Sequence, residues 1–239
     1  MSTLLVPYHL DEPMPELPKR EAGRVVEARW QRGEFWQRVA PLHQAVAEAV
    51  AGTEKPVVLA GDCTVALGVV AGVQRKGVRP TILWVDAHGD LHTPESSASG
   101  YAGGMPLRML LGHGDSTVAE KIGLRPVPAE RVVLVGARDL DPPEQEYLAT
   151  SAVTRNRVED VVAPEGPIYL HIDLDVIDAA QVPGLRYPAG RGPTQQAVRE
   201  AATRVLDTGR VEALTLVCSW RPGEGAADAV RPLIDALVG

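Results

Sequence analysis

The chain has 239 residues, 45% hydrophobic and 23% charged, a balance that suits a globular protein with one sizeable buried core. Its formal net charge of −7, with the basic residues dispersed, excludes the basic footprint of a nucleic-acid or anionic-membrane partner. Two cysteines, Cys63 and Cys218, are too few for a disulfide scaffold and fit a reducing compartment; with no basic leader and no apolar run of bilayer length, a cytoplasmic location is expected.

Apolar runs alternate with amphipathic segments along the chain. Residues 4–8, 57–60, 81–85, 132–135, 168–172 and 213–217 read as strands, and because they are apolar continuously, both faces of their sheet should be covered. Residues 35–50 and 195–206 carry the clearest helical spacing. The second has Gly192-Pro193-Thr194 as its start and Gly209 as its stop. Gly- and Pro-rich loops are expected at 91–106, 141–143 and 179–193. The repeated β, α order predicts an α/β three-layer sandwich with a mostly parallel sheet between helices. With no internal repeat, low-complexity tract or linker, residues 1–239 are expected to form a single domain.

Three acidic stretches stand at predicted strand ends: Gly-Asp-Cys at 61–63, Asp-Ala-His-Gly-Asp at 86–90 and Ile-Asp-Leu-Asp at 172–175. Strand ends are where open α/β sheets place ligand sites. Alternation puts Asp86 with His88, and Asp173 with Asp175, on common sides. Four carboxylates and an imidazole in one place repel one another unless cations neutralise them, which points to a pair of divalent metal ions. The oxygen-rich, histidine-poor donor set favours manganese. Asp-x-His-x-Asp alone could occupy an idle surface loop; paired with Asp-x-Asp at another strand end, it is a much more specific signal.

These motifs resemble those of the ureohydrolases, the arginases, agmatinases and formiminoglutamases, which share a three-layer α/β fold and a binuclear manganese centre. The likeness runs from about residue 55 to 220. It implies that Asp86 bridges two Mn2+ ions, His88 binds one and Asp90 the other, Asp173 adds a second bridge and Asp175 a further ligand, with Asp86 and Asp90 as catalytic residues. By the same resemblance, His92, Ser97 and Ser99 would meet the α-carboxylate of an amino-acid substrate, and Asp141 and Glu144 its α-amino group. Asp141 and Glu144 could equally be acids dressing a helix N-terminus. The implied activity is that of a metal-dependent amidinohydrolase, cleaving a linear C–N bond in a guanidino or amidino amino acid, and family habit implies a homo-oligomer.

Three positions depart from the family pattern. Where the family has a metal-binding histidine after Gly-Asp, this chain has Cys63, whose soft sulfur makes that site weaker for manganese or selective for Zn2+. Alternatively, Cys63 is an inert buried cysteine. Gly103 stands where arginases carry a proton-shuttling histidine, and Cys218 where the family carries the glutamate that holds the guanidinium. Cys63 together with the Gly-Tyr-x-Gly-Gly-Met loop is similar to the hydroxyarginine hydrolases of D-cycloserine biosynthesis, whose substrate is Nω-hydroxy-L-arginine. An N-hydroxyl lowers guanidinium basicity, so such a substrate needs less from a shuttle or an anionic clamp. The competing expectation is an arginase-fold protein without hydrolase activity that binds metal or a small molecule.

Overall fold

The computed structural model describes residues 2–14, 16–17, 23–27 and 29–239. In chain order the elements are β1 (Thr3–Val6), β2 (Tyr8–His9), β3 (Glu12–Pro13), β4 (Arg24–Val25), α1 (Phe35–Ala51), β5 (Val57–Ala60), α2 (Val65–Arg75), β6 (Thr81–Val85), α3 (Pro106–Leu110) and α4 (Thr117–Ile122). They continue as β7 (Val132–Val135), α5 (Pro142–Thr150), β8 (Thr154–Asn156), β9 (Ile168–Asp173), α6 (Gln195–Leu206), β10 (Val211–Val217) and α7 (Ala226–Val238). Eight strands form one sheet in the order β4-β1-β5-β10-β9-β6-β7-β8. Every pairing in it is parallel. The short β2 and β3 pair antiparallel beside it.

Alternation along the strands sorts their side chains into two apolar layers. Val58, Trp84 and Tyr169 face α1 to α4, where they pack with Val46, Leu67, Leu107 and Val118. Leu59, Leu83 and Ile172 face α6 and α7 and meet Val198, Val205, Val230 and Leu237. Each such side chain contributes about 1.5–3 kcal/mol of burial. The result is a three-layer α/β sandwich with a parallel sheet between two helical layers.

Strands at 57–60, 81–85 and 132–135 and the helix at 195–206 have the bounds expected from the sequence. The Thr194 side chain caps that helix by accepting the Ala197 N–H at 3.2 Å. Three expectations need correction. The run at 4–8 divides at Pro7, which has no N–H for the ladder, so Tyr8 and His9 turn into the small hairpin. β10 begins earlier than expected, at Val211, with a bulge between Val211 and Ala213 that accommodates the polar Glu212. Residues 142 and 143, read as loop, are the first turn of α5, with Asp141 as its N-cap. Prolines there are compatible with a helix because first-turn N–H groups have no intrahelical acceptor.

The sequence-adjacent strands β5 and β6 lie apart in the sheet, with β10 and β9 between them. The chain thus reverses direction across the sheet and opens a crevice at the carboxyl ends of these central strands. The three acidic stretches end there. Among the described residues, no helix is long and apolar enough to cross a membrane.

Candidate metal centre and its pocket

Each acidic strand end uses the same local turn. Asp62 accepts the N–H of Thr64 at 2.8 Å, Asp86 that of His88 at 2.8 Å, and Asp173 that of Asp175 at 2.9 Å, in every case through Oδ1. A carboxylate bonded two residues onward bends the chain and orients its own second oxygen. For Asp86 and Asp173 that oxygen faces the site. Asp86 Oδ2 accepts the Trp84 indole N–H at 3.1 Å, and Asp173 Oδ2 accepts the Cys63 thiol at 3.0 Å. For Asp62 it is occupied by the backbone N–H of Leu10, so this stretch contributes Cys63 and not its carboxylate. Gly61 makes the approach possible, because a Cβ there would collide with the Tyr8 carbonyl.

The expected metal residues converge on two groups that share Asp86. In one, Asp86, His88 and Asp175 place ligand atoms within 4.8 Å of one another; in the other, Cys63, Asp86 and His171 do so. His88 Nδ1 lies 3.2 Å from Asp175 Oδ2 and 3.4 Å from Asp86 Oδ1. Asp90 and Asp173 line the same pocket. Asp90 is only 5% exposed, sits at φ +52°, and its Oδ2 has no hydrogen-bond partner. An orphaned buried oxygen on a residue with a left-handed backbone is a group that could hold an ion. His171 was not singled out from the sequence. Its signal was alternation: two residues before Asp173 on one strand, it must share that aspartate's face.

The electrostatics agree with a site built for cations. Burial first, then the neighbouring carboxylates, push the Asp90, Asp173 and Cys63 side chains well above their ordinary pKa ranges. Burial and Asp86 push Asp175 up to about 6. Burial opposes charge on His88, but its hydrogen bonds to Asp175 and Asp86 outweigh that and carry it up to about 12. Burial drives His171 down to about 3. Acids so close cannot all ionise without compensating positive charge. The donor set fits a pair of divalent ions, and this arrangement of His, Asp and Cys is typical of a binuclear metal site.

A pocket of about 400 Å³ opens above the acids. His92, Ser97, Ser99, Asp141 and Glu144 all lie on its lining, so the substrate loops expected from the sequence do converge there. His92 Nε2 is 3.1 Å from Asp141 Oδ2, and its Nδ1 is 3.1 Å from Ser96 Oγ. Glu144 is buried and engaged with backbone: Oε1 accepts the Leu91 N–H and Oε2 the Asp141 N–H, both at 3.0 Å. Cys218 is placed differently from the sequence expectation. It is fully buried in the apolar layer against α6 and α7, while Cys63 packs in the opposite layer, and both are free thiols. The neighbouring Ser219 is the residue on the pocket wall, donating to the Gly61 carbonyl at 2.8 Å.

Tyr101 occupies the place of the missing shuttle. A Cβ on Gly103 would collide with the Tyr101 ring, whose hydroxyl lies 2.9 Å from His9 Nε2. Tyr101, Gly103, Ser219 and Arg186 line the same pocket.

The family model described as "Arginase family" matches residues 6–219. The N(omega)-hydroxy-L-arginine amidinohydrolase of Streptomyces lavendulae is 31% identical over 244 residues, covering 96% of this chain and 85% of that protein. The arginase of Bacillus caldovelox is 32% identical, covering 78% of this chain and 70% of that protein. The crystal structure of arginase from Bacillus subtilis covers all of this chain and 98% of that one with a TM-score of 0.82; at 23% identity this is a likeness of fold. The near-equal identities to a hydroxyarginine hydrolase and to an arginase do not separate those branches. Fold and clustered site are those expected of a metal-dependent amidinohydrolase, and the chain belongs to the arginase family.

Proposed function

We propose that this protein hydrolyses a linear C–N bond in the guanidino group of an arginine-like amino acid, that it works with two divalent ions, Mn2+ except where Cys63 makes one site weaker for manganese or selective for Zn2+, and that Nω-hydroxy-L-arginine suits it better than arginine. The observation that carries this reading is Asp86, shared between two ligand groups at the floor of a single pocket. One ion would be held by Asp86, His88 and Asp175, the other by Asp86, Asp90, Asp173 and Cys63. Bound there, the ions supply a water acidic enough to act as a nucleophile at neutral pH.

The remaining residues position the substrate. Asp141, His92, Ser97 and Ser99 stand around the pocket as polar groups for an amino acid's ammonium and carboxylate. Glu144 ties the loop after Asp90 to the start of α5. At the wall, Tyr101 and Ser219 offer hydroxyls, and Arg186 is the charged neighbour. A protonated guanidinium is repelled by Arg186 and finds no acid there, whereas an N-hydroxyguanidine is less basic and can enter neutral. Resemblance to the Streptomyces hydrolase supports the same substrate.

The absence of an imidazole at Gly103 favours a second reading, a non-hydrolytic member that binds metal or a small molecule. Metal analysis of protein purified without chelator, followed by assays for urea and hydroxyurea release with added manganese, decides between them. Two ions per chain and faster release from Nω-hydroxy-L-arginine than from arginine or agmatine are expected. Less than one ion per chain removes the metal-centre reading. Full occupancy with no turnover of any guanidino compound leaves the non-hydrolytic one.

A further inference from the structure

The deep half of the centre contains a donor that the family pattern does not call for. His171 is fully buried, and its ring lies flat against Trp84, with centroids 3.6 Å apart and planes 13° from parallel. Its Nδ1 is 3.1 Å from the Tyr169 hydroxyl, which itself donates to Thr215 Oγ1 at 2.9 Å. With that hydroxyl hydrogen spent on Thr215, the Tyr169 oxygen accepts the Nδ1–H, which leaves Nε2 as a bare lone pair. This is how a second partner orients a metal-bound imidazole.

Nε2 points at Cys63 Sγ, 3.4 Å away. The same sulfur lies 3.0 Å from Asp173 Oδ2 and 3.9 Å from Asp86 Oδ2. One S–H hydrogen thus faces three acceptors, and the neighbouring Asp90 Oδ2 has no donor at all. A buried surplus of acceptors is costly unless a cation sits among them.

We propose that His171 is a direct metal ligand, and that with Cys63 and Asp86 it makes the deep half of the centre a site for a thiophilic divalent ion, Zn2+ in preference to Mn2+. The inference rests on the reading of this pocket as a metal centre. Replacing the family's histidine by Cys63 does not reduce the number of nitrogen donors; the imidazole arrives from β9, two strands away from β5 in the sheet, and a thiolate is added. Sulfur, nitrogen and carboxylate oxygen together are a zinc donor set, whereas manganese favours oxygen. The shallow half, with Asp86, His88 and Asp175, keeps the harder character.

X-ray absorption at the zinc edge tests this on the His88→Asn protein carrying one equivalent of Zn2+, because His88 is the imidazole of the other half. The expected shell contains one sulfur at about 2.3 Å and one imidazole. Sulfur without imidazole overturns the assignment of His171 while leaving the metal centre standing. A shell of oxygen alone overturns the whole proposal. Protein that retains zinc in neither the His88→Asn nor the unmodified form overturns the metal-centre reading and this inference with it. If His88→Asn does not fold, Co2+ provides the second route. The near-ultraviolet thiolate-to-cobalt band is expected in the unmodified protein and in His171→Asn, and to be lost in Cys63→Ser. The visible ligand-field bands should shift in His171→Asn, and visible spectra identical to the unmodified protein's overturn the proposal.

Discussion

Glu144→Gln separates a scaffold role from a substrate-reading one. Glu144 is 4% exposed, and its two oxygens accept two backbone N–H groups, from Leu91 and Asp141, each at 3.0 Å. Leu91 follows Asp90 directly and is itself buried, so its amide has no access to water. A glutamine of the same shape has one acceptor oxygen. Its NH2 must therefore face one of the two donors, leaving that N–H without a partner in the interior. Loss of a hydrogen bond to a charged acceptor costs about 1.5–3 kcal/mol, and the orphaned donor brings the expected loss to about 2–3 kcal/mol. For a chain of this size each kcal/mol lowers Tm by about 2–4 °C, so a fall of roughly 4–12 °C is expected. Circular dichroism melts of metal-free and metal-loaded protein should both show it, because the cap needs no ion. A Tm within about 1 °C of the parent, together with a raised KM for the amino-acid substrate alone, would refute the scaffold argument and make Glu144 a substrate contact. Asp141→Asn is the control: Asp141 is exposed, and asparagine is as good an N-cap, so stability should change by less than about 0.5 kcal/mol.

Three further outcomes are expected. Burial holds His43 down to about 4, from 6.5, with neither ring nitrogen hydrogen-bonded; as pH falls the unfolded chain therefore takes up the proton first, and up to about 3 kcal/mol of stability present above pH 6.5 is lost by pH 4. His43→Leu should flatten urea-unfolding stability across that window, and a slope unchanged from the parent would assign the acid sensitivity to other groups. Cys63→His should raise Mn2+ affinity in calorimetric titration by supplying a harder donor, and an unchanged isotherm would show that Cys63 holds no ion. Gly103→His should lower Tm because the new side chain displaces the Tyr101 ring, and Tyr101→Ala in the same chain should restore part of the loss; additive effects of the two changes would mean that they do not share the space.

Much of the sandwich could be read directly because parallel strands covered on both faces are nearly uninterrupted apolar runs: β5 and β7 contain nothing else, and β6 has only Thr81 besides. The errors fall where a polar or cyclic residue interrupts such a run. Pro7 ends one ladder, Glu212 hides the start of β10 behind a bulge, and Pro142-Pro143 looks like loop chemistry although a helix begins there. The convergence of the acidic motifs was legible from spacing, since Asp-x-His and Asp-x-Asp at strand ends fix their own orientation through the amide two residues on. His171 and Cys218 were not. A histidine inside an apolar run reads as core, and only pairing with Trp84 of β6 shows what it faces. Beyond β10 the alternation continues, so Cys218 joins Leu214 and Leu216 in the layer against α6 and α7, and the side chain on the pocket wall is that of Ser219, one residue beyond the position that sequence similarity marks.

The three strand-end aspartates show why local spacing identifies candidates without assigning them. Asp62, Asp86 and Asp173 make the same bond to the amide two residues ahead, at 2.8, 2.8 and 2.9 Å, so in each case the turn fixes one oxygen and presents the other. What that second oxygen meets depends on chain far away in sequence. For Asp173 it is a thiol 110 residues earlier; for Asp62 it is the Leu10 amide, 52 residues earlier, in the connection between β2 and β3. An oxygen that accepts a buried backbone N–H gives up about 1–3 kcal/mol if it turns to an ion and leaves the donor unpaired. Asp62 is thereby committed to holding the N-terminal hairpin against the start of α2, while Asp86 and Asp173, whose second oxygens meet side chains that can yield, remain free to share a cation. Which of these three aspartates could share a cation therefore depends on whose second oxygen the rest of the chain has left without a backbone partner.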